Sequence, residues 1–361
     1  MTRFRAFGSP QRYLQGPGAI GELAGIAAGY GAKVPLVIAD AIVETLLHDR
    51  LEAALGPGTR FAEFNGECTA AEIDRLARLA GEIGADLILG VGGGKAIDTA
   101  KGVRIQRPAP LVIVPTIASN DSPTSRIAVV YTDAHQLLEV RRMSANPDVV
   151  LVDTSVIAAA PARFFVSGIG DALSKKFEAA QCLGSGGDNF YGGRPPLIAT
   201  TIADACYDVI RGHAEPALAA VRRGETDEHV EQTVEATILL SGLAFENGGL
   251  SIAHSLTRGL SIVSGVAEAL HGEQVAWGLL VQWVLEERTE EFLADQLAFY
   301  RRIGLPRTLR ELGLQGDPAA AAATIAQDSW TRAPYVRALT QPIDPARLEA
   351  AIRMTERFAG P

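Results

Sequence analysis

Residues 86–101 read Asp86-Leu-Ile-Leu-Gly90-Val-Gly92-Gly93-Gly94-Lys95-Ala-Ile-Asp98-Thr-Ala-Lys101. The apolar run at residues 87–89 predicts a buried parallel strand, and the residues from Lys95 onward predict the first turns of a helix. A strand that passes through glycines into a helix can bind phosphate, because a ligand can approach the backbone, N–H groups point outward and the helix dipole favours an anion. The segment therefore indicates an α/β fold with a site for a nucleotide cofactor.

This glycine-rich turn matches neither of the two familiar phosphate-binding fingerprints. It lacks the G-x-G-x-x-G spacing, and no Gly-Lys-Ser/Thr triplet completes a Walker motif. Such a turn also serves as a plain tight connection, so the turn alone leaves both interpretations open. Asp98 lies one turn into the helix, where it either caps the helix start or contacts the cofactor.

The composition is typical of a globular protein with two domains. The chain has 361 residues, of which 47% are hydrophobic and 21% charged, and its net charge is −9. The negative charge argues against nucleic acid or an anionic membrane as the main partner. No apolar run approaches the ~20 residues of a membrane span, and we expect no secretory signal at the N-terminus. Cys68, Cys182 and Cys206 are typical of reduced thiols in a cytoplasmic protein.

The first part of the chain alternates strand and helix patterns. Strands are predicted at residues 34–39, 60–64, 86–90, 111–115, 128–132 and 149–152. Helices are predicted between them at residues 41–55 and 68–83, the second with a capping box formed by Thr69 and Glu72. This alternation predicts a parallel sheet with helices on both faces, in which ligands bind at the carboxyl ends of the strands. Asp40, the glycines at 92–94 and residues 116–121 follow predicted strands at such ends.

Helical patterns replace this alternation beyond residue 153. They predict helices at residues 161–183, 196–212, 216–223, 229–247, 251–259, 273–288, 293–303, 305–311, 318–328 and 345–358. We therefore expect an α/β nucleotide-binding domain at residues 1–157 and an all-helical domain at residues 158–361. The glycine-rich segment from Gly184 to Pro196 predicts a mobile loop, which acts as a surface connector, a lid or a subunit contact.

Two of the six histidines lie in apolar surroundings, namely His254 and His271. The others have polar or charged neighbours and are interpreted as surface residues: His48, His135, His213 and His229. Asp171 follows two glycines among apolar residues, where an unpaired charge would be costly. A lone histidine of this kind is usually a core residue, but two imidazoles and a carboxylate together suit a divalent cation such as zinc or iron(II). Three protein ligands leave one position for water or substrate, which is the pattern of a catalytic site.

Several further segments occur in order along the chain, and together they are more specific than any one alone. They are Gly92-Gly-Gly-Lys-Ala-Ile-Asp98-Thr-Ala-Lys, Pro115-Thr-Ile-Ala-Ser-Asn-Asp121-Ser-Pro-Thr-Ser, Asn146-Pro-Asp-Val-Val-Leu-Val-Asp153-Thr, Gly168-Ile-Gly-Asp171-Ala-Leu, Phe245-Glu-Asn-Gly-Gly-Leu, His254, and His271-Gly-Glu-Gln-Val-Ala-Trp-Gly-Leu-Leu-Val-Gln. In these segments the chain resembles the glycerol dehydrogenase branch of the iron-containing (group III) alcohol dehydrogenases. The resemblance extends over nearly the whole chain. That family has a nucleotide-binding α/β domain followed by a helical domain, a dehydroquinate synthase-like architecture with the active site in the cleft between them.

The resemblance implies a role for each candidate residue. Asp171, His254 and His271 would bind a catalytic divalent metal, with zinc favoured and iron as the alternative. The dinucleotide would be held by Asp40, Gly92, Gly93, Gly94, Lys95, Asp98, Thr116, Ser119, Ser125, Ile127 and Tyr131. Asp40 would bind the adenosine ribose hydroxyls and favour NAD over NADP. Asp121 would contact the substrate hydroxyl and pass its proton outward, and the family commonly forms homo-octamers.

The expected reaction is the oxidation of a secondary hydroxyl of a small, glycerol-like polyol to a ketone. The metal lowers the pKa of the alcohol, and NAD accepts the hydride. Arg126 and Arg258 depart from the family pattern. They are either surface charge or a clamp for a carboxylate or phosphate, as a 2-hydroxy-acid or glycerol-phosphate dehydrogenase would need. The competing interpretations are a dehydroquinate synthase-like lyase or cyclase that uses NAD transiently, and a non-catalytic NAD-binding protein.

Overall fold

A parallel sheet forms the N-terminal half of the protein in the computed structural model, which describes residues 4–360. The strands are β1 (Arg12–Gly16), β2 (Pro35–Ala39), β3 (Arg60–Glu63), β4 (Leu87–Gly92), β5 (Leu111–Pro115), β6 (Ile127–Tyr131), β7 (Leu137–Arg142) and β8 (Val149–Asp153). Six of them pair in the order β1-β8-β5-β4-β2-β3, and every pair is parallel. The inner strands are buried along their whole length, as expected of a parallel sheet that is covered on both faces.

Three of the strands, β1, β6 and β7, differ from the sequence prediction. The strand expected at residues 128–132 does not join the parallel sheet, because β6 pairs antiparallel with β7 in a separate two-stranded sheet. β7 combines three apolar with three charged residues, none of them buried, so it lacks the continuous apolar run that predicts an inner strand. β1 is an edge strand that pairs with β8, and its partly exposed residues lack the apolar run that identifies the inner strands.

Helices pack on the sheet as the alternation predicts. They are α1 (Leu23–Tyr30), α2 (Ala41–Leu55), α3 (Ala70–Glu82), α4 (Gly94–Gln106) and α5 (Thr154–Ala159). Thr69 caps α3 by accepting a hydrogen bond from the N–H of Glu72 at 3.1 Å. The other half of the predicted capping box is missing, because the carboxylate of Glu72 instead accepts from the N–H of Asn65 and the guanidinium of Arg75.

Every element named after α5 is a helix within the described residues. These helices are α6 (Ala162–Gly184), α7 (Leu197–Val221), α8 (Glu228–Glu235), α9 (Ser241–Gly248), α10 (Ile252–Leu260), α11 (His271–Leu285), α12 (Glu290–Ile303), α13 (Pro318–Arg332) and α14 (Pro345–Ala359). Pro216 lies inside α7, so the two helices predicted at residues 196–212 and 216–223 are one. The helix predicted at residues 229–247 contains a π-helical turn at Ala236–Leu240, and the one predicted at residues 305–311 is a series of turns.

One hydrophobic core joins the sheet to the helical half. Ile88 and Ile113 of the sheet belong to the same buried cluster as Leu173 of α6 and Leu279 of α11. Over residues 4–360, no single helix combines the length and apolar composition of a membrane span. Only one bent pair, Glu228–Gly248 with Ile252–Leu260 at 97°, meets both criteria when taken together.

Candidate metal and dinucleotide site

Three helices bring the predicted metal ligands together. Asp171 lies within α6, His254 in the first turn of α10, and His271 at the first residue of α11. One ligand atom from each residue lies within 4.8 Å of the other two. Asp171 is buried, whereas the His271 ring is open to a cleft. Three residues far apart in sequence therefore form one cluster of potential ligands.

Glycines allow α6 and α11 to approach closely at this cluster. A Cβ atom on Gly272 would lie 1.8 Å from the carbonyl oxygen of Ser167, and one on Gly170 would lie 2.6 Å from the carbonyl oxygen of Gly272. Larger residues would push the two helices apart, because these neighbours are backbone atoms that cannot rotate away. The glycine next to Asp171 thus lies inside a helix and serves helix packing, which brings the carboxylate close to His271.

Glu178, a residue that sequence analysis misses, fixes the orientation of His254. Its Oε2 lies 2.5 Å from Nδ1 of His254, and its Oε1 accepts the backbone N–H of the same residue at 3.0 Å. Nε2 is left to face Asp171, whose Oδ1 lies 3.2 Å away. A carboxylate behind a ligating histidine is a common orienting partner in metal sites. The available signal was spacing, because Glu178 follows Asp171 by two turns on one face of α6.

Asp171 and His271 hold the charge states that a divalent cation requires, whereas His254 must lose a proton before its Nε2 can bind one. Burial opposes a charge on Asp171, but Lys175 and His254 outweigh it and hold the pKa of this carboxyl far below its usual value. Although the His271 ring opens to the cleft, the surrounding protein withholds water from it and lowers its pKa to about 4, so this imidazole is neutral at neutral pH. Burial also opposes a charged His254, but Glu178 outweighs it and raises the pKa of His254 to about 9. An ionised carboxylate with imidazole nitrogens is a donor set that fits zinc or iron(II).

Lys175 places an ammonium group beside these ligands. Its Nζ lies 2.6 Å from Oδ1 of Asp171, 3.0 Å from Oδ2 of Asp121 and 3.2 Å from Nε2 of His254. Burial opposes the charge on Lys175, but Asp121 and Asp171 outweigh it and raise the pKa of the ammonium. Burial and the charge of Asp171 raise the pKa of Asp121, whose backbone N–H donates to Oδ2 of Asp171 at 3.3 Å.

A cleft of about 660 Å³ leads from the carboxyl edge of the sheet to His271, the member of this cluster that lines it. Its lining includes the predicted site residues Asp40, Gly93, Gly94, Lys95, Ser119 and His271. α4 begins at Gly94, so its first turn forms part of the wall. The free N–H groups and the positive end of a helix dipole favour an anion there, as the phosphates of a dinucleotide require.

Asp40 and Lys95 bring opposite charges to the lining of the cleft. Oδ1 of Asp40 caps α2 by accepting the N–H of Val43 at 2.9 Å. Nζ of Lys95 donates to Glu67 at 2.7 Å and lies 5.5 Å from the centre of the Tyr131 ring. The cleft therefore offers an acidic group for ribose hydroxyls and a basic group for phosphate.

The remaining predicted cofactor residues do not line this cleft; they are Gly92, Asp98, Thr116, Ser125, Ile127 and Tyr131. The carboxylate of Asp98 accepts hydrogen bonds from Nζ of Lys101 at 3.0 Å, Oγ of Ser122 at 2.6 Å and the N–H of Val129 at 3.0 Å. These bonds hold β6 and the segment after β5 against α4. Asp98 is therefore buried and bonded within the protein.

The segment between α6 and α7 is anchored, in contrast to the predicted mobile loop. Nδ2 of Asn189 donates to the carbonyl oxygens of Ala6 at 2.7 Å and Asn247 at 3.1 Å. The hydroxyl of Tyr191 donates to Glu246 at 2.9 Å. Sequence composition could not reveal these bonds, because glycines indicate a flexible backbone whether or not side chains restrain it.

Arg126 belongs to the same anchor. Its Nη2 donates to the carbonyl oxygen of Phe190 at 2.7 Å, and its guanidinium lies 4.3 Å from the centre of the Tyr191 ring. Arg126 is thus neither simple surface charge nor a free anion clamp. Arg258 lies one turn after His254 on α10, where burial lowers the pKa of its guanidinium.

The sequence matches a known family. Residues 10–154 match the model for iron-containing alcohol dehydrogenases. The glycerol dehydrogenase of Citrobacter freundii is 37% identical to this chain, and the match covers 95% of each protein. The chain belongs to the iron-containing alcohol dehydrogenase family. It is accordingly an NAD-dependent alcohol dehydrogenase of that family.

Other members of the family match the chain through both halves. The glycolaldehyde reductase of Halobacterium salinarum is 42% identical over 85% of each protein. The crystal structure of a probable glycerol dehydrogenase from Sinorhizobium meliloti has a TM-score of 0.93 and 41% identity, with 99% of each chain covered. These matches confirm the predicted fold, an α/β part followed by a helical part, and favour the dehydrogenase over the lyase interpretation.

Proposed function

We propose that this protein oxidises a secondary hydroxyl of a small polyol, with glycerol as the model substrate, and transfers the hydride to NAD. The observation that carries the proposal is that His271, which clusters with Asp171 and His254, lines a cleft together with Gly93, Gly94 and Lys95. Metal-assisted hydride transfer to NAD needs this proximity, because the substrate oxygen must reach the metal while the carbon that carries it reaches the cofactor. The names of the family members support the polyol class.

The proposed cofactor residues are those that the resemblance implies. They comprise Asp40, Gly92, Gly93, Gly94, Lys95, Asp98, Thr116, Ser119, Ser125, Ile127 and Tyr131. Those on the cleft would contact the dinucleotide directly, whereas Asp98 would act by holding β6 in place. The acidic side chain of Asp40 would repel the extra phosphate of NADP, which favours NAD.

When bound, a divalent metal supplies a positive charge that lowers the pKa of the substrate hydroxyl. Asp171, His254 and His271 would hold it, and Glu178 keeps Nε2 of His254 turned toward the cluster. Asp121 lies beside the candidate ligands, with its Oδ2 3.0 Å from Nζ of Lys175, and would contact the substrate hydroxyl and pass its proton outward. We favour zinc, with iron as the alternative, since both accept this donor set.

The domain organisation and assembly of the chain would follow those of the resembled family. We propose an NAD-binding domain at residues 1–157, a metal-binding and catalytic domain at residues 158–361, and a homo-oligomer, with the octamer as the expected form. The substrate is a small alcohol, and the net charge of −9 disfavours nucleic acid or a membrane surface as a partner. We propose a cytoplasmic location because Cys68, Cys182 and Cys206 are buried, unpaired thiols.

The test is NADH formation by purified, zinc-loaded protein with glycerol, propylene glycol, lactate and glycerol phosphate, each with and without a chelator. We expect chelator-sensitive turnover of the neutral diols. Turnover of the anionic substrates alone would instead support the hydroxy-acid or glycerol-phosphate alternative. Absence of NADH despite NAD binding would contradict the proposal and revive the lyase interpretation. His271→Ala should abolish turnover while NAD still binds, and full activity in that variant would contradict the metal assignment.

A further inference from the structure

Lys175 contacts two of the three candidate metal ligands, Asp171 and His254, at the same atoms that would coordinate a metal. Its ammonium donates to Oδ1 of Asp171 at 2.6 Å and lies 3.2 Å from Nε2 of His254. Nδ1 of His254 is committed to Glu178, so Nε2 is the nitrogen available to a metal. The ammonium of Lys175 is therefore a cation that already lies beside Oδ1 of Asp171 and Nε2 of His254.

Lys175 also has a second anion within reach. Its Nζ lies 3.0 Å from Oδ2 of Asp121, which belongs to the segment after β5 rather than to α6. The side chain of Lys175 has no exposed surface, so its charge needs a carboxylate partner at all times. Asp121 is thus a second carboxylate that is able to pair with this ammonium.

We infer that Lys175 is an internal counter-ion that competes with the divalent metal for Asp171 and His254, and that passes wholly to Asp121 when the metal binds. The inference rests on the metal site of the proposed function. An ammonium and a divalent cation that share one carboxylate oxygen repel each other strongly in a buried site. In the metal-free protein, Lys175 neutralises the buried charge of Asp171.

If Lys175 has this role, loss of its ammonium group has opposite effects on the metal-free protein and on metal binding. Removing the charge leaves Asp171 without its partner in the metal-free protein, which lowers stability. It also removes a competitor, which tightens metal binding. If Lys175 merely supported the ligands, its removal would lower both the stability of the metal-free protein and the affinity for metal. Measuring stability and affinity together therefore separates the two roles.

The experiment compares Lys175→Met with wild type and with Lys176→Met. Lys176 is the matched control, because it is the adjacent lysine of α6 but pairs on the surface with Asp204 at 3.2 Å and Asp208 at 3.9 Å. Zinc affinity is measured by competition with a chromophoric chelator, and the Tm of each protein is recorded with and without zinc. Lys175→Met should bind zinc at least about tenfold more tightly and show a larger rise of Tm with zinc, whereas Lys176→Met should match wild type.

Equal or weaker zinc affinity in Lys175→Met, with zinc bound by wild type, would overturn this inference and leave the proposed function intact. Absence of binding of both zinc and iron(II) by either protein would overturn both. If Lys175→Met does not fold, crystals of the wild-type protein grown with and without zinc provide the second measurement. The contact between Nζ of Lys175 and Oδ1 of Asp171 should be broken in the zinc form, and its persistence beside a bound zinc would refute the competition.

Discussion

Oε2 of Glu178 lies 2.5 Å from Nδ1 of His254, while Nε2 of the same ring lies 3.2 Å from Oδ1 of Asp171. Both carboxylates come from α6, two turns apart, and the imidazole from α10 fits between them. Oε1 of Glu178 also accepts the N–H groups of Ser251 at 2.9 Å and His254 at 3.0 Å. One glutamate therefore fixes both the start of α10 and the orientation of a candidate metal ligand.

Glu178→Gln should weaken metal binding by about 10–100-fold. The amide keeps the shape of the side chain but loses the negative charge that makes the His254 ring a strong ligand. Zinc affinity is measured by chelator competition. Glu268→Gln, at an exposed position between α10 and α11, is the control and should leave the affinity unchanged. Unchanged affinity in Glu178→Gln would show that its carboxylate does not support the metal site.

Gly272→Ala should lower both stability and metal affinity. The new methyl group would lie 1.8 Å from the carbonyl oxygen of Ser167, so α11 must move away from α6 and carry His271 with it. We expect a loss of about 1–3 kcal/mol in the free energy of unfolding. Gly212→Ala is the matched control, since a Cβ there meets open space within α7, and it should stabilise the protein by roughly 0.5–1 kcal/mol. Equal effects of the two substitutions on unfolding would contradict the packing argument.

Asp40→Asn should relax the preference for NAD. The amide oxygen can still cap α2 through the N–H of Val43, so the fold is retained, but the charge that repels the extra phosphate of NADP is gone. The ratio of kcat/KM for NADP to that for NAD should rise by about tenfold, which corresponds to ~1.4 kcal/mol. If the ratio of kcat/KM for NADP to that for NAD and the Tm were both unchanged, Asp40 would not contact the adenosine ribose.

The anchored segment between α6 and α7 should resist chymotrypsin after Phe190 and Tyr191 in the wild-type protein. Asn189→Ala should make it cleavable, because it removes the donors to the carbonyl oxygens of Ala6 and Asn247. Cleavage is followed by mass spectrometry. Ser185→Ala is the control, since its exposed hydroxyl bonds the carbonyl of Cys182 at the end of the helix. Rapid cleavage of the wild-type protein would instead show that the segment from Gly184 to Pro196 is a mobile loop, as the sequence predicts.

Ionisation of Asp153 should make part of the free energy of unfolding depend on pH. Burial opposes its charge, but the N–H groups of Gly18 and Ile20 and the guanidinium of Arg50 outweigh it and lower the pKa of this carboxyl. A lowered folded-state pKa contributes stability that is present above the unfolded value of about 3.9 and is lost as the pH falls through the folded value.

Asp153→Asn should therefore be less stable than wild type at neutral pH, by about 1–3 kcal/mol, and the difference should shrink as the pH falls below about 4. Urea unfolding at several pH values measures it. Asp133→Asn, on the exposed turn between β6 and β7, should match wild type throughout. A difference for Asp153→Asn that stays constant with pH would contradict the electrostatic explanation.

The sequence was sufficient to predict the features that follow from local pattern. The inner strands, the turn into α4 and the helical second half all have continuous signals, and apolar surroundings singled out His254 and His271. Glu178 and Lys175 escaped notice because their roles depend on which helix faces α6, and a charged residue in a helix usually indicates a solvated surface. β1 and the anchored segment before α7 were missed because side-chain and edge contacts with distant residues, rather than local pattern, define them.

The hydrogen bond from the backbone of Asp121 to Oδ2 of Asp171 has a thermodynamic consequence. Asp121 follows Ser119 and Asn120, which line the dinucleotide cleft. A dinucleotide that displaced this segment would also displace an oxygen of the candidate metal cluster, and by linkage the metal would act on the dinucleotide to the same extent. The dissociation constant of either one would then be a property of the pair, with a defined value only at a stated concentration of the other.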